Sequence, residues 1–229
     1  MTLRLQREIE RLKCRILEMG AQVEQTIRLA AAAIDEMDAE TAQKVVDGDA
    51  SIDQMEVQLE EDCLKILSLH QPVAQDLRLI VSTLKINNDL ERMADLAVNV
   101  CERALYLTKK PKLAPPFNLS SMGTDVQLMV KMSLDSLVRE DTAQARKVIA
   151  QDNLIDGMNR ANYAAAIAEM KKDSHRIARL MHYVSVSSQL ERIADLATNI
   201  AEDVIYLAEG DIIRHKALIA AETSADKGS

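Results

Sequence analysis

The chain consists of two related halves, and this internal duplication constrains its fold more than any other feature of the sequence. At an offset of 103 positions, the pattern D-x-x-I-D-x-M of residues 49–55 recurs in residues 152–158. The offset then becomes 100, and nine of the thirteen residues in 90–102 are identical to those in 190–202. A period of about a hundred residues is too long for a solenoid repeat. The sequence therefore indicates duplication of a whole structural unit.

Helix-breaking residues are confined to a few places. There are only six Gly and four Pro in 229 residues, and three of the prolines lie together in 109–118, which is predicted to be a linker. Pro72 is expected to open a helix at its first position, and Asp38 is expected to cap one. The first half is accordingly predicted to form three helices, at roughly 3 to 36, 39 to 69 and 73 to 108. The second half repeats this plan.

The composition favours an all-α fold. Hydrophobic residues make up 48% of the chain, whereas aromatic residues make up only 2%, and β-sheets are rich in aromatic and β-branched side chains. Apolar residues follow the spacing of one buried helical stripe. We therefore predict two tandem three-helix bundles, in residues 1–110 and 119–216. The small and polar segment 217–229 is expected to fray.

Charge and cysteine content exclude several classes of protein. The formal net charge of −8 argues against nucleic-acid binding, which requires a basic face. The three cysteines lie far apart without a Cys-x-x-Cys pair, and are expected to be buried thiols in a reducing compartment. The longest apolar run, residues 29–34, is too short to span a membrane. We expect a cytoplasmic protein without a membrane span.

Oxygen-bearing side chains form a narrow stripe on the third predicted helix of each half. In each half a Glu, an Asp, an Asn and a second Glu fall within about 80° of arc, at about 100° per residue. The eight stripe residues are Glu91, Asp95, Asn99 and Glu102, and Glu191, Asp195, Asn199 and Glu202. Like charges four residues apart destabilise a helix, and a bound cation would cancel that repulsion through ligands of the type it prefers. The eight stripe residues are therefore candidate metal ligands.

The stripe has an alternative interpretation as a plain solvated face. It lies opposite the apolar arc of its helix, and Arg92 and Arg103 flank it as possible ion-pair partners. Its recurrence in the second half, where neighbouring core positions vary, favours the metal hypothesis. Each half also carries a pair of acids on its middle helix, which either completes the cation site or binds Arg side chains of the neighbouring helix. These supporting acids are Asp49 and Asp53, and Asp152 and Asp156.

No catalytic machinery is visible in the sequence. The four histidines form no His-x-x-x-His or Glu-x-x-His pair, which argues against zinc-protease and ferritin-type sites. There is no P-loop, no G-x-G-x-x-G and no G-x-S-x-G motif. We therefore expect that the protein is not an enzyme.

The segments 70–80 (HQPVAQDLRLI), 90–99 (LERMADLAVN) and 190–203 (LERIADLATNIAED) resemble the PhoU family of phosphate-specific transport regulators. The resemblance extends over roughly residues 3 to 216, and the doubled Glu-Arg-x-x-Asp motif makes it specific. The chain differs at Ala94 and Ala194, where the family often has Gly. The resemblance implies two three-helix bundles, a homodimer, and multinuclear iron or zinc bound by the eight stripe residues.

The resemblance also implies a role. A cytoplasmic member of this family would act between the ATPase of the phosphate ABC transporter and a sensor histidine kinase, and would repress phosphate uptake and the phosphate-starvation response when phosphate is plentiful. Two alternatives remain open from the residues alone. One is a metal-free structural helical adaptor, and the other is a phosphohydrolase with a two-metal site.

Overall fold

The computed structural model describes residues 3–210, which form six helices and no β-strand. The helices are α1 (Leu3–Glu36), α2 (Ala39–His70), α3 (Ala74–Thr108), α4 (Leu119–Arg139), α5 (Thr142–Lys172) and α6 (Ile177–Glu209), with a 3₁₀ turn at Ser174–Arg176 before α6. The all-α prediction is confirmed. None of the six helices is long and apolar enough to cross a bilayer. The segment predicted to fray, 217–229, and the end of the predicted second bundle lie outside the described residues.

The second helix begins where the sequence predicts. Asp38 caps α2, because its carboxylate accepts hydrogen bonds from the backbone N–H of Glu40 at 2.9 Å and of Thr41 at 3.2 Å. Asp141 occupies the matching position in the second half and accepts from the N–H of Gln144 at 3.0 Å. The repeat therefore extends to the details of helix initiation.

The prediction that Pro72 opens the third helix is wrong. Gln71 ends α2 in the left-handed region with a φ of 44°, and Val73 is extended with a φ of −129°. Because the chain is still extended at Val73, the next helix begins at Ala74, two residues after the proline.

The two bundles pack side by side through α3 and α6. These helices run antiparallel, since Lys85 Nζ lies 3.4 Å from Asp203 Oδ1 near one end and the rings of Tyr106 and His182 stack at 3.8 Å near the other. Helix α2 packs on α3 and α5 packs on α6, so that α2, α3, α6 and α5 form one layer. Helices α1 and α4 cover the other side of α3 and α6 and contact each other. Buried residues of all six helices form one continuous core.

A glycine allows α1 and α4 to approach closely. A Cβ atom at Gly20 would lie 2.9 Å from Leu134 Cδ2, and one at Gly123 would lie 3.5 Å from the Ala31 Cβ. Gly20 and Gly123 are equivalent in the repeat. The contact between the two halves on this side is therefore built from matched positions.

The expectation that all three cysteines are buried is wrong for Cys14. Cys63 and Cys101 are buried, and burial raises the pKa of each thiol to about 12. Cys14 is exposed. It lies two residues from both Leu12 and Ile16, which belong to the buried stripe of α1, and a separation of two residues turns a helical side chain to the opposite face.

Candidate functional site

The structure brings the Glu and Asp of the α3 stripe against the acids of α2. We call Asp49, Asp53, Glu91 and Asp95 the first acidic cluster. The pKa of Asp49 is raised by burial and then by the charges of Asp53 and Asp95. The pKa of Glu91 is raised by burial and by the charge of Asp95, with smaller effects from the acids of α2. The neighbouring carboxylates thus oppose the ionisation of Asp49 and of Glu91.

The second half forms the matching group between α5 and α6. We call Asp152, Asp156, Glu191 and Asp195 the second acidic cluster. One carboxylate oxygen each of Asp152, Asp156 and Asp195 can be chosen so that the three atoms lie within 4.8 Å of one another. The Asp152 and Asp156 residues are half-buried, whereas Asp195 is exposed.

Repulsion is most evident at Asp195. Although the residue as a whole is exposed, partial burial of its carboxyl group and the charges of Glu191, Asp152 and Asp156 raise the pKa from 3.8 to about 6, and only Arg192 acts in the opposite direction. The pKa values of Asp152 and Glu191 are also raised, in both cases mainly by burial and then by neighbouring acids. Arg192 thus only partly offsets the repulsion at Asp195, and a bound cation would remove the rest.

The four supporting acids do not pair with Arg side chains of a neighbouring helix. Among the described residues, Asp156 pairs only with Arg160 of its own helix, at 3.6 Å from Asp156 Oδ2 to Arg160 Nη1, and Asp49, Asp53 and Asp152 make no ion pair within 4.0 Å. Asp152 Oδ1 is buried and has no hydrogen-bond partner of good geometry in this part of the chain, although the nearby Thr198 hydroxyl favours the charged form. The geometry thus places these acids with the stripe carboxylates.

Half of the stripe residues lie away from the two clusters. Glu102 and Glu202 follow Asp95 and Asp195 by seven residues, which is roughly 10 Å along a helix. The Asn99 amide donates a hydrogen bond to the backbone oxygen of Asp95 at 2.9 Å. Asn99 and Asn199 line a cavity, described below, which adjoins the clusters at Asp95 and Asp195.

Sequence reasoning did not identify Glu56. Its pKa is raised by burial and by the charges of Glu60 and Asp53, and its charge also raises the pKa of Glu91. Glu56 follows Asp49 by seven residues and Asp53 by three, and residues at these spacings lie on the same face of a helix. Helical periodicity could therefore have identified it. At the equivalent position of the second half the chain has Asn159, whose side-chain hydrogen bond favours ionised Glu191.

A cavity of about 320 Å³ lies between α3 and α6, where the two motifs face each other. It is lined by four pairs of residues at the repeat offset of 100, namely Arg92 and Arg192, Asp95 and Asp195, Leu96 and Leu196, and Asn99 and Asn199. Asp95 and Asp195 belong to the acidic clusters as well, so the cavity lies between the two clusters. The arrangement therefore has an approximate twofold symmetry about the crossing of α3 and α6.

Comparison with known proteins identifies the family. The PhoU domain model matches residues 16–104 and 119–204, which correspond to the two halves. A PhoU homologue of Aquifex aeolicus is 38% identical over 214 residues, covering 93% of this chain and 97% of the relative. A homologue of Pseudomonas aeruginosa is 36% identical over 209 residues, covering 91% of this chain and 86% of the relative. Both relatives are named as accessory proteins of the phosphate-specific transport system and not as enzymes.

Two solved structures share the fold over almost their whole length. The crystal structure of PhoU from Pseudomonas aeruginosa superposes with a TM-score of 0.87 at 36% identity, covering 90% of this chain and 99% of that one. The phosphate transport system regulatory protein PhoU from Streptococcus pneumoniae superposes with a TM-score of 0.84 at 27% identity, covering 91% and 99%. The resemblance noted in the sequence is thereby confirmed, and the chain belongs to the PhoU family.

Proposed function

We propose that this protein is a metal-binding adaptor of the phosphate-specific transport system, which links the transporter ATPase to a sensor histidine kinase and represses phosphate uptake and the phosphate-starvation response. The names of its relatives, which describe accessory proteins of that system, support the role in phosphate-specific transport. The convergence of Asp152, Asp156 and Asp195 is the observation that supports metal binding. In the first half, the acids at the equivalent positions, Asp53 and Asp95, raise the pKa of Asp49.

The donor set fits a cation. Every titratable group in the two acidic clusters is a carboxylate, and hard or borderline cations take carboxylate oxygens as ligands. The raised pKa of Asp195 and the unpartnered Asp152 Oδ1 are the features that a bound ion would relieve. Iron or zinc at both clusters is consistent with these ligands, with Glu91 and Asp95 acting in the first half and Glu191 and Asp195 in the second.

The scaffold suits a docking role in the cytoplasm. Each cluster lies between two helices of the layer formed by α2, α3, α6 and α5, whereas α1 and α4 form the other side of the molecule. With a formal charge of −8, the protein is electrostatically complementary to basic surfaces on a partner. We propose that bound metal changes the charge of this layer and so determines which partner binds, and that the protein acts as a homodimer.

Elemental analysis combined with partner binding tests the proposal. Protein purified without chelator is analysed for iron and zinc, and is used in pull-downs with the transporter ATPase and the kinase. Asp95→Asn with Asp195→Asn should lose most of the bound metal and should weaken binding to a partner. The control, Asp35→Asn with Asp135→Asn, makes the same chemical change on α1 and α4 and should alter neither. Unchanged metal content and unchanged binding in the first variant would contradict the proposal.

A further inference from the structure

The cavity between α3 and α6 is lined by two arginines that form no direct ion pair with any described residue. Arg92 and Arg192 line it from opposite helices, and neither forms an ion pair within 4.0 Å in residues 3–210. Sequence reasoning offered Arg92 as a partner for the acidic stripe, and the structure does not place it in that role. Two guanidinium groups are therefore available at one cavity.

The remaining polar residues complete a set suited to an anion. Each guanidinium offers several N–H donors in a planar fork, which matches the oxygens of phosphate. Asn99 and Asn199 line the same cavity with amide groups, which contain N–H donors. The volume of about 320 Å³ lies at the lower end of the range for ligand sites, so a small anion fits better than a large one.

The two carboxylates of the cavity connect it to the acidic clusters. Asp95 and Asp195 each belong to one cluster and also line the cavity. With the clusters empty, these carboxylates offset the two arginine charges. With cations bound on either side, the arginine charges are no longer offset and the cavity becomes positive.

We propose that this cavity binds orthophosphate through Arg92, Arg192, Asn99 and Asn199, and that cations in the two flanking clusters strengthen the binding. The second part of this inference rests on the proposed metal binding, whereas the first part does not. The protein would then sense phosphate directly, at the point where its two halves meet.

Equilibrium dialysis with radiolabelled orthophosphate, in buffer containing micromolar Zn²⁺, tests the arginines. Wild-type protein should bind one phosphate per chain, and Arg92→Gln with Arg192→Gln should raise the Kd at least tenfold. The control, Arg7→Gln with Arg28→Gln, removes two exposed arginines of α1 and should leave the Kd unchanged. All three proteins should have similar melting temperatures. Equal phosphate binding by the cavity variant and the wild type, or no phosphate binding by the wild type, would overturn the proposal.

Two further arms separate this proposal from the metal proposal. Removing Zn²⁺ with a chelator should raise the Kd for phosphate at least tenfold, and an unchanged Kd would overturn the coupling. If the purified protein is found to hold no metal but still binds phosphate through the two arginines, the phosphate proposal is supported and the metal proposal is refuted. Dialysis against labelled glycerol 3-phosphate identifies the ligand, because binding of the ester without binding of orthophosphate would refute the assignment to free phosphate.

Discussion

Replacing Asp195 by Asn should stabilise the protein when the clusters are empty and destabilise it when they hold metal. The rise of the Asp195 pKa from 3.8 to about 6 corresponds to about 3 kcal/mol of unfavourable interaction, at about 1.4 kcal/mol per pKa unit. Because Asp195 is exposed, solvent screening reduces this value, and we expect a gain of about 1 kcal/mol in the free energy of unfolding at pH 7.5.

The gain should depend on pH in a definite direction. The folded state of the wild type binds the Asp195 proton more tightly than the unfolded state does, so the wild type loses stability as the pH rises from 3.8 to about 6. Asn carries no charge at any pH. The advantage of the variant should therefore be complete above about pH 7 and should disappear as the pH falls towards 4.

Urea denaturation followed by circular dichroism measures both effects. Metal-free wild type, Asp195→Asn and the control Asp135→Asn are compared at several pH values in the presence of a chelator, and again at pH 7.5 with excess Zn²⁺. A ligand at a hundred times its Kd stabilises a protein by about 2.7 kcal/mol, so the wild type should become the more stable of the pair. The reasoning fails if the variant is less stable without metal at pH 7.5, or if the difference does not change with pH.

Three further changes test the fold by the same denaturation measurement. Gly48 and Gly157 lie inside helices with no atom within 4 Å of an added Cβ. Changing each to Ala should therefore stabilise the protein by about 0.5–1 kcal/mol. A loss of stability would show that the space is occupied. Ile155 is 1% exposed, and Ile155→Ala should cost about 2–5 kcal/mol; a cost below about 1 kcal/mol would contradict its place in the core. Asp38→Ala should cost about 1 kcal/mol through loss of the cap of α2, whereas Asp38→Asn, which retains an accepting oxygen, should cost less.

The sequence was sufficient for the helices because their signals are local. The spacing of apolar residues, the cap at Asp38 and the proline cluster at 109–118 act within a few residues, and they predicted the bounds of the first three helices to within one residue. The connection at Pro72 was misjudged, because proline suits an extended segment as well as a first helical turn. Nothing local distinguishes these two uses.

The candidate site was predicted in part because half of it depends on packing between helices. Helical periodicity identified Glu91 and Asp95 as neighbours on one face, and their recurrence in the second half favoured their interpretation as metal ligands. Whether the α2 acids would face Asp95 or an arginine depends on the rotation of α2 about its axis, which the sequence did not determine. The cavity between the halves was not predicted at all, since it arises from the antiparallel crossing of α3 and α6.

The antiparallel pairing of α3 and α6 has the geometry of an isologous dimer interface, although both partners belong to one polypeptide. In a homodimer a substitution appears in both subunits at once, whereas in a duplicated chain a substitution can change one half alone. The chain shows such divergence, because Glu56 beside one cluster corresponds to Asn159 beside the other. Because both halves belong to one chain, the two acidic clusters need not be identical, and we expect them to differ in affinity for the cations that we propose they bind.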